Sequence, residues 1–339
     1  MGTYRVGVIG SGGIGIQHGE GVLGVDSAAV VACCDLLPET TDAFREHFKS
    51  EYPDIRAYRD YRDMLEVENL NVVTVATSDH RHADLVVDAA NAGAKGIFCE
   101  KPIATTLEDA DRMIEAAGRN GTVLSIDHTR RWQPIWRRAK ELLDEGVIGP
   151  VQYVISTLGG PRAMLFRNGT HLIDAICYYA GSEPSWVMGD LEDGYEDYSE
   201  YRGDGGHDPA TEPSVHGYIR FANGVRGHFA GGPKTTPKAS RVEIVGTTGH
   251  INVDGGGARI LRGDHRGYES EPIDVPEWPV VGIPAGVREL LHVLDDSDLE
   301  SKNVSCTGEE GRWVLEVMLG FLASQQRGNA RVDLPLVRG

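Results

Sequence analysis

The chain has 339 residues, 40% of them hydrophobic, and a formal net charge of -18. That length calls for two cores rather than one, and the apolar content is ample to fill them. The acidic balance argues against a nucleic-acid or anionic-membrane partner, because either surface would be repelled over most of the protein.

The first strand is predicted at Tyr4 to Ile9, and the glycine-rich turn directly after it is the most informative stretch of the chain. Gly10, Gly12 and Gly15 make a GxGxxG spacing between that strand and a predicted helix, Ile14 to Leu23, with Gly13 and Ile14 inside the turn. Each glycine answers a geometric demand: Gly10 the tight turn, Gly12 the close approach of a pyrophosphate, Gly15 the packing of helix on strand. The helix N-terminus then offers N–H groups to phosphates.

A second apolar run, Ala28 to Asp35, places a carboxylate at its end, where it can accept both ribose hydroxyls of an adenosine. Leu36, Leu37 and Pro38 come next, with no cation to neutralise a 2′-phosphate, so the spacing predicts NAD rather than NADP. The competing role for Asp35 is to cap the helix predicted from Glu39 to Ser50.

Further runs at Val72 to Ala76, Gly96 to Cys99 and Val123 to Ile126 alternate with helical stretches at Ala83 to Ala92 and Leu107 to Arg119. That alternation predicts a Rossmann-type doubly wound parallel sheet over residues 1–125, with ligands at the carboxyl ends of its strands. The motif GIFCEKP, Gly96 to Pro102, ends a buried strand with adjacent Glu100 and Lys101. Burying an ammonium is costly unless it is paired, and at this edge Lys101 would project toward a bound nicotinamide; the alternative is a surface salt bridge.

Residues 126–339 have a different texture. Runs at Val151 to Leu158, Ser214 to Phe229, Arg241 to Val253 and Ala258 to Arg262 are joined by Asn223-Gly224 and Thr248-Gly249 turns. They predict a second α/β domain with a large, mostly antiparallel open sheet. Helices are predicted at Thr170 to Ala180, closed by Gly181, and at Ala285 to Leu294 and Glu309 to Gln326, the last two able to pack back on the first domain. The acidic segment Asp190 to Asp208, with Tyr195, Tyr198 and Tyr201 interleaved, reads as a solvated loop, with a substrate lid as the alternative.

His207, His216 and His228 have no metal-ligand spacing with any Cys or carboxylate motif, and no metal is expected. The five cysteines, Cys33, Cys34, Cys99, Cys177 and Cys306, include no CxxC pair and read as reduced thiols of a cytoplasmic protein. Neither an export leader nor a membrane-spanning run is predicted.

These residues together resemble the glucose-fructose oxidoreductase/inositol dehydrogenase/MocA family. The resemblance is carried by GxGxxG, Asp35, the run ATSDHRHADLVVDAANAGAKGIFCEKP from Ala76, RRWQP at Arg130 to Pro134, and GTHLID at Gly169 to Asp174, and it covers nearly the whole chain. It implies NAD(P)-dependent oxidation or reduction at a secondary alcohol carbon of a sugar, sugar derivative or cyclitol. It also implies homodimers or homotetramers formed through the C-terminal sheet.

By motif, Gly10, Gly12, Gly15, Asp35, Thr77 and His82 would hold the dinucleotide, Glu100 and Lys101 would lie by the nicotinamide, and His171 would be the acid/base. The family often has an Asp four residues before that histidine, where this chain has Arg167. A relative that cleaves glycosides through transient NAD chemistry, or a dinucleotide sensor without catalysis, remains the alternative.

His171 falls in the first turn of its helix, off the Leu172, Ile176, Tyr179 packing face, with Asp174 three residues on to orient the imidazole or to favour the helix terminus. Arg162 and Arg167 precede it; as guanidiniums they suit a substrate rich in hydroxyls, carboxylate or phosphate, or else pair with the protein's own acids. His128, Arg131 and Trp132 come after the last Rossmann strand and are further substrate candidates, Trp132 as a stacking face for a sugar or as core.

Overall fold

The computed structural model describes residues 4–201, 203, 208–264, 266–295 and 303–336. It divides into two compact units, Met1–Trp132 with Pro279–Gly311, and Gln133–Trp278 with Arg312–Gly339. In chain order the first unit starts with β1 (Tyr4–Ile9), α1 (Gly13–Glu20), β2 (Ala28–Cys34), α2 (Pro38–His47), β3 (Arg56–Tyr58) and α3 (Tyr61–Glu68). It continues with β4 (Val72–Val75), α4 (His82–Asn91), β5 (Gly96–Glu100), α5 (Leu107–Asn120) and β6 (Val123–Asp127).

Its six strands form one parallel sheet in the order β3-β2-β1-β4-β5-β6. Strands β4 and β5 are buried along their whole length, as expected of strands covered by helices on both faces. The apolar runs and helices of the Rossmann pattern are all present. The short pair β3 and α3 is an addition: Arg56 and Ala57 are exposed, so the strand carries no apolar signature and exists by pairing with β2.

The second unit contains α6 (Pro134–Asp144), β7 (Val151–Gly159), α7 (Thr170–Ala180), β8 (Pro184–Leu191), β9 (Val215–Phe221), β10 (Arg226–Gly231), β11 (Ala239–Gly246), β12 (His250–Asp254), β13 (Gly257–Asp264) and β14 (Gly267–Pro272). The remaining elements are α8 (Ile283–Asp295) in the first unit, α9 (Gly308–Gln326), whose residues from Arg312 onward belong to the second, and β15 (Val332–Asp333). Helix α8 packs on α1, β5 and β6, with Gly286 against the rings of Phe98 and Trp132.

The second sheet has nine strands, in the order β14-β13-β12-β11-β7-β10-β9-β8-β15. It is antiparallel except where β10 runs parallel to β7. Alternation along β7 to β10 turns Val154, Val187, Ile219 and Phe229 inward, on the face that α7 covers. The opposite face carries Tyr153, Trp186, Tyr218 and His228, all half-buried; the Trp186 and Tyr218 rings stack at 4.9 Å between centroids.

Within the acidic segment the tyrosines, not the carboxylates, set the order. Tyr198 and Tyr201 are buried, and Tyr201 lies flat on Phe166 with ring centroids 3.9 Å apart. Aromatic area withdrawn from water outweighs the preference of the surrounding acids for solvent. Arg202 and residues 204–207, His207 among them, lie outside the described residues.

Candidate active site

The carboxyl ends of the parallel strands bring most of the predicted dinucleotide residues together. Gly10 leaves β1 with φ +83°, and a Cβ there would stand 2.4 Å from the Ala76 carbonyl oxygen. At Gly15 a Cβ would stand 2.0 Å from the Gly10 carbonyl oxygen, so α1 sits directly on the turn that precedes it. By contrast, a Cβ at Gly13 would meet nothing within 4 Å, and Gly13 and Ile14 are exposed. The helix N-terminus therefore faces open space with its first N–H groups unclaimed by the helix itself, a cradle that fits a pyrophosphate.

Asp35 comes after β2 at the same edge. Its Oδ2 accepts from the Ser11 N–H and its Oδ1 from the Leu37 N–H, each at 3.1 Å. These bonds orient the carboxylate while leaving lone pairs on both oxygens for ribose hydroxyls. Asp35→Ala is expected to raise the KM for NAD about 10- to 100-fold, from the loss of hydrogen bonds to a charged group, and to narrow the preference over NADP. Initial-rate titrations with the two coenzymes check this.

Thr77 lies in the loop after β4, and His82 opens α4. The His82 ring is fully buried, with Nδ1 2.9 Å from the Pro102 carbonyl oxygen and Nε2 3.2 Å from that of Thr77. Burial pushes this imidazole below its ordinary range, against the pull of the two carbonyls. His82 thus joins the loops after β4 and β5. Lys101 comes directly after β5, half-buried, and is joined to Pro102 by a cis peptide.

Two polar side chains that the sequence patterns do not single out, His18 and Asp127, join Glu100 at this edge. Glu100 and Asp127 are register partners at the ends of β5 and β6. His18, fully buried on α1, approaches Glu100 with Nε2 3.5 Å from Oε1. Burial alone would raise the Glu100 carboxyl; the neighbouring His18 and Asp127 side chains and the charge of Lys101 outweigh it and hold the group down at about 2. Burial and the neighbouring Glu100 charge push Asp127 the other way, well above the usual carboxylate range. The available signal was that both strands end in a carboxylate, and that His18 lies three residues beyond Gly15, on the helix face turned to the sheet.

Of the residues after β6, the three substrate candidates His128, Arg131 and Trp132 are buried. Arg131 Nη1 donates to the Ser305 carbonyl at 2.5 Å and to Glu310 Oε1 at 2.8 Å, and Trp132 Nε1 donates to Glu289 Oε2 at 2.9 Å while its ring packs on Phe98. His128 is buried beside them.

In the second unit, His171 occupies the first turn of α7, half-buried, and Asp174 is buried one turn on. A wide turn, Leu165–Gly169, leads into the helix. The buried carboxylate of Glu212 accepts from the Phe166 N–H at 2.7 Å and the Arg167 N–H at 3.1 Å, and the Arg167 Nε lies 3.8 Å from its other oxygen. The guanidinium standing where the family often has an aspartate is thus drawn to a carboxylate from a later loop. Arg162 is exposed, and its carbonyl accepts from the Asn168 side chain.

Comparison with known proteins matches this architecture over most of its length. Residues 4–128 match a family described as oxidoreductases with an NAD-binding Rossmann fold, and residues 136–252 match the GFO/IDH/MocA C-terminal domain. The chain belongs to the Gfo/Idh/MocA oxidoreductase family. Within that family it is 30% identical to the myo-inositol 2-dehydrogenase of Thermotoga maritima over 267 residues, 74% of this chain and 75% of the relative. It is 37% identical to the D-apiose dehydrogenase of Paraburkholderia graminis over 146 residues, 43% of this chain and 38% of the relative.

The crystal structure of an oxidoreductase from Agrobacterium radiobacter in complex with NAD+, L-tartaric acid and magnesium superposes with a TM-score of 0.76 at 18% identity, covering 97% of this chain and 98% of that one. At that identity the likeness is one of fold. The coenzyme of this Gfo/Idh/MocA protein is NAD, and the glycine loop, the open helix terminus and Asp35 are the parts of the chain that fit it.

Proposed function

We propose that this Gfo/Idh/MocA protein is a dehydrogenase that oxidises a secondary alcohol of a sugar, sugar derivative or cyclitol, with Lys101 and His171 as its acid/base pair. The observation that carries the proposal is Lys101 at the carboxyl end of β5, on the same edge as the glycine loop and Asp35. The relatives named for inositol and apiose support the substrate class.

NAD supplies the acceptor for a hydride; the chain must manage the proton. A secondary alcohol has a pKa of about 16, so freeing the alkoxide at pH 7 costs about 12 kcal/mol at 1.36 per unit. His171, as a neutral imidazole, takes the hydroxyl proton, while the Lys101 ammonium stabilises charge on the oxygen. Arg162, Arg167, His128, Arg131 and Trp132 complete the proposed substrate set. Among them Arg131 and Trp132 act by holding the segment after β6 in place, given their bonds to Ser305, Glu310 and Glu289.

A panel of sugars and cyclitols scored by NADH absorbance, run with NAD and with NADP, tests the proposal. NAD-linked reduction by at least one polyol supports it. Product formed with no net NADH would point instead to glycoside cleavage through transient redox chemistry.

The half-buried aromatic face of the second sheet, Tyr153, Trp186, Tyr218 and His228, supports assembly through that sheet as a homodimer or homotetramer. A monomeric mass in sedimentation equilibrium would rule this out. The five cysteines are all buried and none forms a disulfide among the described residues, in keeping with the cytoplasm, and among the described residues no helix is long and apolar enough to cross a membrane.

A further inference from the structure

One cluster in the first unit is left over from the chemistry above. Glu100 Oε1, Asp127 Oδ2 and both ring nitrogens of His18 are buried, and none meets a conventional hydrogen-bond partner. One ring nitrogen of His18 and one carboxylate oxygen from each of Glu100 and Asp127 lie within 4.8 Å of one another. Unsatisfied buried acceptors are rare enough in folded proteins to need an explanation.

The remaining oxygens are accounted for. Asp127 Oδ1 accepts from the Thr129 hydroxyl at 2.9 Å, and Glu100 Oε2 accepts from the backbone N–H of Lys101 at 3.3 Å. What is left is one oxygen from each carboxyl, on residues that β5 and β6 pair in register, Glu100 with Asp127. Two ionised oxygens in that position would repel without screening by water. One proton between them turns the same geometry into a charge-assisted hydrogen bond and satisfies both atoms.

We propose that Asp127 is a positioning residue: its carboxyl, kept in the acid form, donates from Oδ2 to Glu100 Oε1, clamping the carboxylate that in turn grips the Lys101 peptide. The clamp rests on the acid/base role proposed for Lys101. Glu100 is then held at both ends, by Asp127 on one oxygen and by the Lys101 N–H on the other. The two carboxyls then carry one negative charge instead of two beside the Lys101 ammonium. The groups facing Asp127 are Glu100 and Cys99 from β5, Lys101 after it, the Thr129 hydroxyl, and His18 from α1 through Glu100. From α8, Glu289 bonds Trp132 and Ser305, and Arg288 bonds the carbonyls of Gly21 and Leu23.

The test is infrared difference spectroscopy of the full chain at neutral pH, combined with kinetics of two variants. The wild-type protein is expected to show a carboxylic-acid carbonyl band that shifts in heavy water and is absent from Asp127→Asn. Asn can donate to Glu100 and accept from Thr129 as the acid does, so turnover in Asp127→Asn is expected to stay within about threefold of wild type. Asp127→Ala is expected to lose about tenfold or more in kcat, with NADH affinity measured by fluorescence unchanged.

Absence of the band, or full turnover in Asp127→Ala, overturns the proposal. So does a stoichiometric divalent metal in the purified protein that Asp127→Asn removes, because a cation would take the proton's place among these ligands. A missing band alongside an inactive Lys101→Ala variant would sink the clamp alone. Turnover surviving in Lys101→Ala would sink the acid/base role, whatever the infrared shows.

Discussion

Lys101→Ala and His171→Ala are each expected to lower kcat about 10³-fold while leaving the dissociation constant for NADH nearly unchanged. The size comes from the barrier. Hydride departure and proton removal must proceed together if the alkoxide cost of about 12 kcal/mol is to be avoided, and neither side chain performs both parts. Coenzyme affinity survives because the glycine loop and Asp35 are untouched. Because the two residues act as a unit, the double variant is expected to be scarcely worse than either single one. Stopped-flow absorbance at the NADH band and fluorescence titration separate the two quantities. Turnover within tenfold of wild type in both single variants would refute the assignment.

Gly10→Ala is expected to destabilise the protein by about 3–5 kcal/mol and to abolish NAD binding. Two costs combine there: a left-handed φ of +83°, and a Cβ placed 2.4 Å from the Ala76 carbonyl oxygen, a backbone atom that cannot swing aside. Gly13→Ala is the control. Its Cβ meets nothing within 4 Å, and alanine is the better helix former by about 1 kcal/mol, so the apo protein should melt no lower than wild type. Thermal unfolding of both variants without coenzyme checks the contrast; equal losses would mean that the turn does not carry the strain assigned to it.

Much of the first unit was legible because its signals are local. A glycine that must turn left-handed, a buried apolar run and a carboxylate at its end are each dictated by backbone sterics or burial within a few residues, and these place Gly10, Gly15, Asp35 and Lys101 on one edge. The alternating texture of the second half likewise predicts the large sheet. The hidden elements had no local period. Strand β3 owes its existence to pairing with β2, and β14, Gly-Tyr-Glu-Ser-Glu-Pro, is a polar strand formed against β13. The role of Glu212 under the turn before His171 joins residues more than forty positions apart.

The amino-acid order by itself determined the family and the coenzyme, through residue types at short fixed spacings, and the resemblance carried by those motifs offered Lys101 and His171 for acid/base chemistry. Only the tertiary structure decided that His18, Glu100 and Asp127 share one buried pocket. The lateral register of β5 against β6 and the seating of α1 on the sheet are consequences of packing the whole unit, and no spacing along the chain encodes them.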